Sequence, residues 1–161
     1  MLAALANRGF AASQEAGRSI IRQQLAQGGD ALPWADKAAY AEAMFSREVA
    51  SFGKYAKSYA PIFFDRGLPD VIGYLKLCGL AVPKAMDEHA RRWRYSQLVF
   101  MAPPWREIYC HDNERRQQWD EATATYEVML KTYTDYGYQT IDLPLVSVEK
   151  RVEFILQHIS C

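Results

Sequence analysis

The sequence predicts an α/β layer fold built on a mostly parallel sheet. Three observations carry this reading. Short apolar runs bounded by proline or glycine, Ile62-Phe63-Phe64-Asp65 and Gln97-Leu98-Val99-Phe100-Met101-Ala102, suit buried parallel strands. Longer stretches carry apolar residues three and four apart, the mark of helices packed by one face. The two kinds of segment alternate along the chain, as they do in layered folds.

Taken in order, Met1 to Arg8 is a short run of strong helix formers, stopped by Gly9 where a C-cap glycine belongs. Phe10 to Ser13 has room for a brief strand. Glu15 to Gln27 reads as a helix with Ile20, Ile21 and Leu25 on one side, ended by Gly28-Gly29. Pro33 and Trp34 are expected to open a long helix whose inner face is Phe45, Val49, Phe52, Ala56 and Tyr59, broken by Pro61. The strand Ile62 to Asp65 follows, then a short helix from Pro69 to Leu77 and a charged one from Pro83 to Trp93. Gln97 to Ala102 is a strand closed by Pro103-Pro104, and the loop Trp105 to Asp112 comes next. Asp112 is placed as the N-cap of a helix with Trp119, Ala122, Tyr126, Met129, Tyr133 and Tyr136 inward. Gln139 to Leu143 is a last strand. Ser147 then caps a helix facing inward with Val148, Val152, Ile155, Leu156 and Ile159. No repeat, linker or low-complexity tract interrupts this order, so residues 1–161 are expected to form one domain.

Composition narrows the function classes. Lys plus Arg and Asp plus Glu number 19 each, and zero net charge gives no bulk attraction to nucleic acid or to a membrane surface. Cys78, Cys110 and Cys161 are widely spaced, with no Cys-x-x-Cys pair, which fits a reducing compartment better than a disulfide framework or zinc site. No apolar run is long enough to span a bilayer, and no secretory leader is expected. A cytoplasmic protein is the expectation.

In open α/β sheets ligands bind beyond the carboxyl ends of the strands. Asp65 stands at such an end, where a carboxylate can hold a magnesium-bound water or orient a hydroxyl nucleophile. Arg66 beside it can grip a phosphate or carboxylate with two N–H groups, although a plain Asp-Arg pair in a surface turn reads equally well. A second group is Trp105-Arg106-Glu107-Ile108-Tyr109 leading to Asp112-Asn113-Glu114-Arg115-Arg116. Twin arginines in a helix's first turn oppose its dipole, which fits neutralisation of a bound polyphosphate, or else pairing with Asp112, Glu114 and Glu107 on a solvated face. Glu15 and Arg18, three apart at a helix start, share a face and bind either each other or a polar substrate. Cys110-His111-Asp112 is a poor metal site because adjacent residues seldom converge on one ion. Arg91-Arg92-Trp93-Arg94 reads as a helix end rather than a nucleic-acid contact.

Four motifs in this order resemble the small AAA-domain predicted ATPases, relatives of thymidylate kinase and nicotinamide-riboside kinase. They are Glu15-Ala16-Gly17-Arg18; Phe63-Phe64-Asp65-Arg66-Gly67-Leu68-Pro69-Asp70; Pro103-Pro104-Trp105-Arg106-Glu107-Ile108-Tyr109 with Asp112 and Glu114-Arg115-Arg116-Gln117; and Leu143-Pro144 with Ser147-Val148-Glu149. The resemblance implies a three-layer P-loop kinase-like parallel sheet with helices on both faces, and ATP with Mg2+ as cofactors. It implies Asp65 as the strand-end carboxylate near metal and substrate, and Arg66 as a substrate-side anion contact. Arg115 and Arg116 fall where lid arginines cover the transferred phosphate, and Glu15 and Arg18 line the pocket of a small-molecule phosphate acceptor.

One departure from the family pattern is large. Its opening strand and Gly-x-x-x-x-Gly-Lys-Ser/Thr loop are missing, and Met1 to Phe10 looks like the following helix already under way. Two readings stand: a nucleoside-triphosphate-binding ATPase or kinase-like domain whose given sequence begins late, or a truncated, non-catalytic binding or regulatory module. On either, the absent strand would be central. Its neighbours, ending at Asp65 and near Met101, are then expected to flank a gap of roughly 9–10 Å or a substitute element.

Overall fold

Leu2–Ala6 (α1) leads through Gly9, at φ +89°, into the strand Ala11–Ser13 (β1) and the helix Ala16–Gln27 (α2). The structure, a computed structural model, describes residues 1–108 and 119–159. Helix Lys37–Tyr55 (α3), strand Ile62–Phe64 (β2), and helices Leu68–Leu77 (α4) and Lys84–Arg92 (α5) follow. Strand Leu98–Met101 (β3), a 3-10 turn at Arg106–Ile108, helix Trp119–Asp135 (α6), strand Gln139–Asp142 (β4) and helix Val148–Ile159 (α7) complete the described chain.

This is a mixed α/β fold with parallel pairing, as the alternating pattern predicts. Among the described residues the strands form two separate parallel pairs instead of one sheet. β1 pairs with β2, Ala11 opposite Ile62 and Ser13 opposite Phe64; β3 pairs with β4, Leu98 opposite Gln139 and Met101 opposite Asp142. β2 and β3 are not paired with each other. Parallel pairs need helical crossovers, and the chain supplies α2 and α3 between β1 and β2, and α6 between β3 and β4.

The core is organised by α4. Leu68, Val71, Ile72 and Leu75 are all at least 97% buried, because the segment Leu68–Leu77 is apolar nearly all round and must be covered on several sides. It packs against α3, α5 and α6. Met86 and Ala90 of α5, Met129 and Tyr133 of α6, and Met101 of β3 close the main cluster. A smaller cluster joins Ala16, Ile20 and Ile21 of α2 to Leu32 and Tyr40.

Several expectations need correction. α3 starts at Lys37 rather than Pro33, because Asp36 caps it: its Oδ1 accepts the Ala39 N–H at 2.9 Å. Its inner face stops short of Tyr59, which lies beyond the helix and is wholly exposed; Leu25 and Val148 are also exposed, at 60% and 42%. In each case the stripe holds in the middle of the helix and fails at its end, where no neighbour remains to cover it. The loop end at Tyr109 and the Asp112 cap lie outside the described residues.

Ile72 offers a direct check of the α4-centred core. Ile72→Ala removes a side chain with no solvent exposure, and should lower unfolding free energy by about 2–5 kcal/mol. Leu25→Ala, on an exposed position, should change it by no more than about 0.5 kcal/mol. Urea unfolding of both variants measures the contrast.

Candidate functional site

β1 and β2 run parallel, so their carboxyl ends open on one edge, and both chain segments leaving that edge carry charge. After β1 come Glu15 and α2; after β2 come Asp65, Arg66 and α4. Asp65 is tied to the edge by its main chain, its N–H donating to the Ser13 carbonyl at 3.0 Å. Arg66 then turns the chain through φ +80°, a left-handed conformation that a side-chain-bearing residue adopts at a cost of about 1–3 kcal/mol. Charge offsets that strain. The Arg66 guanidinium reaches Glu15 Oε1 from its Nε at 3.4 Å and Asp70 Oδ1 from its Nη1 at 3.3 Å. The second Glu15 oxygen meets Arg18 Nε, also at 3.4 Å.

The structure therefore brings together four of the residues singled out in the sequence: Glu15, Arg18, Asp65 and Arg66. Glu15 and Arg18 do pair with each other, and Arg66 joins them as a second cation on the same carboxylate. Arg115 and Arg116 lie outside the described residues. Asp65 sits close enough to this group for its carboxyl to be held above the usual carboxylate range. Crowding by neighbouring protein raises it most, the Glu15 charge next, and Arg66 pulls the other way.

Local packing explains two small residues beside the site. A methyl group on Gly17 would stand 2.6 Å from the Tyr40 hydroxyl, so glycine lets α2 lie close over α3. A side chain at Gly67 would come within 2.9 Å of the Tyr95 ring. Tyr95 needs that proximity, because its hydroxyl accepts the Leu68 N–H at 3.2 Å and so satisfies one of the open donors at the start of α4. Asp70 satisfies another, its Oδ2 accepting the Gly67 N–H at 2.8 Å while also taking the Tyr133 hydroxyl.

One residue of the site went unread in the sequence. Glu48 of α3 is 4% exposed and makes no hydrogen bond or ion pair with any described residue. It borders a cavity of about 270 Å3 together with Gln14, Glu15, Ala16, Ser19, Arg47 and Ser51. Burial above all, then the charge of Asp70, with Asp65 and Glu15 adding and Arg66 opposing, pushes its carboxyl up to about 7. The available signal was its position in α3, a carboxylate with Met44 and Phe52 four residues to either side and Phe45 three before it.

A raised acid of this kind has a definite effect on stability. Glu48 holds its proton more tightly in the fold than in the unfolded chain. It therefore costs nothing below its ordinary value of 4.5, and destabilises increasingly as pH rises to about 7. Above that the full cost, on the order of 3 kcal/mol, persists. Glu48→Gln keeps the shape and cannot ionise. It should stabilise the protein by about 2–3 kcal/mol at pH 8 and hardly at all at pH 4, as denaturant unfolding at the two pH values would show. An equal effect at both would contradict the assignment.

No helix among the described residues is long and apolar enough to cross a membrane. Nor does any group of three or more His, Cys, Asp or Glu side chains among them form a metal-holding set. Comparison with curated proteins and with solved structures gives no match. A family model described as "AAA domain" matches residues 1–151. With parallel strands feeding charged residues to one edge and a family match over nearly the whole length, the chain belongs to the AAA domain family of nucleotide-binding, P-loop NTPase-like proteins.

Proposed function

We propose that this chain is the acceptor-side part of an ATPase or small-molecule kinase-like domain, with the three-layer P-loop arrangement of thymidylate kinase and nicotinamide-riboside kinase relatives. The observation that carries the reading is the convergence of Glu15, Arg18, Asp65 and Arg66 on the carboxyl edge of the β1–β2 pair. In phosphoryl transfer the protein chiefly positions groups and neutralises charge. Asp65 orients the acceptor hydroxyl, Glu15 and Arg18 line the acceptor pocket, and Arg66 is the contact for an anionic group once a substrate competes for it. Arg115 and Arg116 are the lid arginines of the proposal.

The donor side reads differently. A triphosphate needs clustered main-chain N–H groups and a lysine at its β and γ oxygens. The 161 residues hold no Gly-x-x-x-x-Gly-Lys-Ser/Thr loop. The first N–H groups at α4 are taken by Asp70 and Tyr95, and α2 starts behind the Glu15 carboxylate, which repels phosphate. The described residues thus do not fit ATP or its magnesium ion. The same observation supports the second reading, a non-catalytic binding or regulatory module, for this chain acting alone.

The 161-residue chain should accordingly show no appreciable turnover of ATP or GTP with magnesium. Loss of even one preorganised donor costs on the order of 3 kcal/mol, a hundredfold or more in rate, and here the cradle, the lysine and the hydroxyl are lacking together. A longer form carrying such a loop should bind nucleotide, and Asp65→Ala in it should lower transfer by about a hundredfold. Magnesium-dependent turnover by the 161-residue chain, abolished by Asp65→Ala, would overturn the proposal.

A further inference from the structure

The second strand pair opens a carboxyl edge of its own. β3 ends at Met101 and runs into the loop that carries Trp105; β4 ends at Asp142 and runs through Pro144 into α7. In open parallel sheets such an edge is where ligands gather. Arg151, in the first turn of α7, reaches back to both loops. Its Nε donates to the Pro144 carbonyl at 2.9 Å, and its guanidinium carbon stands 4.9 Å from the centre of the Trp105 ring. One hydrogen bond and one ring face thus hold the guanidinium in place, each supplied from the exit of a different strand.

The far end of Arg151 is left unanswered. Among the buried side-chain polar atoms that find no hydrogen-bond partner in the described residues, its Nη2 is the one that belongs to a charged group. Leaving a buried donor unpaired is costly, and more so when it is charged. The Trp105 face answers part of the positive charge but offers no oxygen to the two N–H groups. The carboxylates on the neighbouring elements are placed elsewhere. Glu153 pairs with Arg8 at 3.9 Å, Asp142 accepts the Tyr126 hydroxyl, and Glu149 is bonded to Ser147. Glu107 is exposed and forms no described ion pair with Arg151. Of the other cations, Arg106 lies over the Trp119 ring at 5.6 Å and Lys150 is exposed. The character of the missing partner therefore follows from the orphaned donor itself and not from a tally of charges. Two N–H groups of a cation held out of water call for a negatively charged oxygen.

We propose that Arg151 anchors a binding site for an oxyanion, the carboxylate or phosphate group of a small molecule, at the carboxyl edge of the β3–β4 pair. With Nε committed to Pro144, the two Nη groups form the remaining fork, whose geometry matches a group with two oxygens. Nη2 is buried, so the Trp105 indole turns aside as the anion enters, and the ring contact is exchanged for a charge pair. The site is separate from the Glu15–Asp65–Arg66 edge and does not rest on the kinase-like reading.

The test is nitrogen NMR of the whole 161-residue chain without nucleotide, following the Arg151 guanidinium and the Trp105 indole N–H, both assigned through the backbone. Sodium acetate and sodium phosphate are the probes, with sodium chloride at matched ionic strength as the control. One or both oxyanions should shift the two signals in a saturable way that chloride does not reproduce. A response to acetate alone marks a carboxylate ligand, to phosphate alone a phosphorylated one, and to both a site that reads the shared oxyanion. Arg151→Lys keeps the charge and loses the fork, and should weaken binding by about tenfold or more. Lys150→Gln, a neighbouring cation on the same helix, should leave it unchanged. No shift with either probe, or an equal shift with chloride, would overturn the proposal. So would undiminished binding by a folded Arg151→Lys variant, or an equal loss in Lys150→Gln. Should Arg151→Lys not fold, the wild-type signals decide: a moving Trp105 resonance with an unmoved Arg151 guanidinium would sink the site. That failure would leave the acceptor-side reading standing, since nothing in it uses Arg151.

Discussion

The Asp70 carboxylate is the constraint on which the rest of the structure hangs. It is 13% exposed and holds three partners drawn from three places: the Gly67 N–H at the head of α4, the Tyr133 hydroxyl of α6, and the Arg66 guanidinium at the end of β2. Hydrogen bonds to a charged group contribute about 1.5–3 kcal/mol each, and here they do more than add. They set the point at which the strand stops and α4 begins, and they lock that point against α6. Since α4 is the helix around which the main core closes, its starting position governs the packing of α3, α5 and α6 together. The left-handed turn at Arg66 is tolerated for the same reason, because the side chain it places is claimed from both sides by Asp70 and Glu15.

The second strand pair is joined to this framework by aromatic side chains rather than by a backbone ladder. Tyr95, just before β3, puts its ring against Phe64 at the end of β2, with centroids 5.0 Å apart, and its hydroxyl on the Leu68 N–H. Its own N–H donates to the Tyr138 hydroxyl at 3.3 Å, just ahead of β4. Arg94 lies over the Tyr138 ring at 3.8 Å and donates to the Tyr136 carbonyl, so the entrances to β3 and β4 are pinned to each other. β2 and β3 thus keep a fixed relation although no hydrogen bonds run between them. The two strands are held by their surroundings instead.

What the sequence made legible was local and periodic. All four strands fall within the segments read as strands, β2 and β3 on the clearest apolar runs, and the helices read from a three-and-four stripe, α2, α3, α6 and α7, match it in their interiors. The charged site was legible in part because strand ends are where α/β folds gather ligand-binding groups: Glu15, Arg18, Asp65 and Arg66 meet although 50 residues separate the first from the third. Two kinds of feature were not. Helix ends depend on which competing signal wins, and Asp36 prevailed over Pro33 because its side chain accepts a real hydrogen bond. Glu48 depends on tertiary placement. A glutamate among apolar neighbours on a helix is ordinarily a surface residue at the edge of the stripe, and only the closeness of α2, which Gly17 permits, turns it inward into a cavity.

The charge balance of the site then limits what chemistry the described residues can do. Four carboxylates (Glu15, Glu48, Asp65 and Asp70) meet on this edge; Arg18 and Arg66 are held by Glu15 and Asp70, and Arg47, which lines the cavity with Glu15 and Glu48, is bonded to Ser19 and Gln23. Glu48 and Asp65 remain, and both are pushed toward their protonated forms by crowding and by the other carboxylates. In the kinase-like reading such an edge holds and orients the acceptor end of the reaction. Anionic phosphates demand cations from elsewhere, which is the part that Arg115 and Arg116 hold in the kinase-like reading. Separating the two charges in this way has a physical advantage. In the kinase-like reading an acceptor held by carboxylates keeps its hydroxyl beside Asp65, whose carboxyl, raised above the usual carboxylate range, is better suited to take a proton.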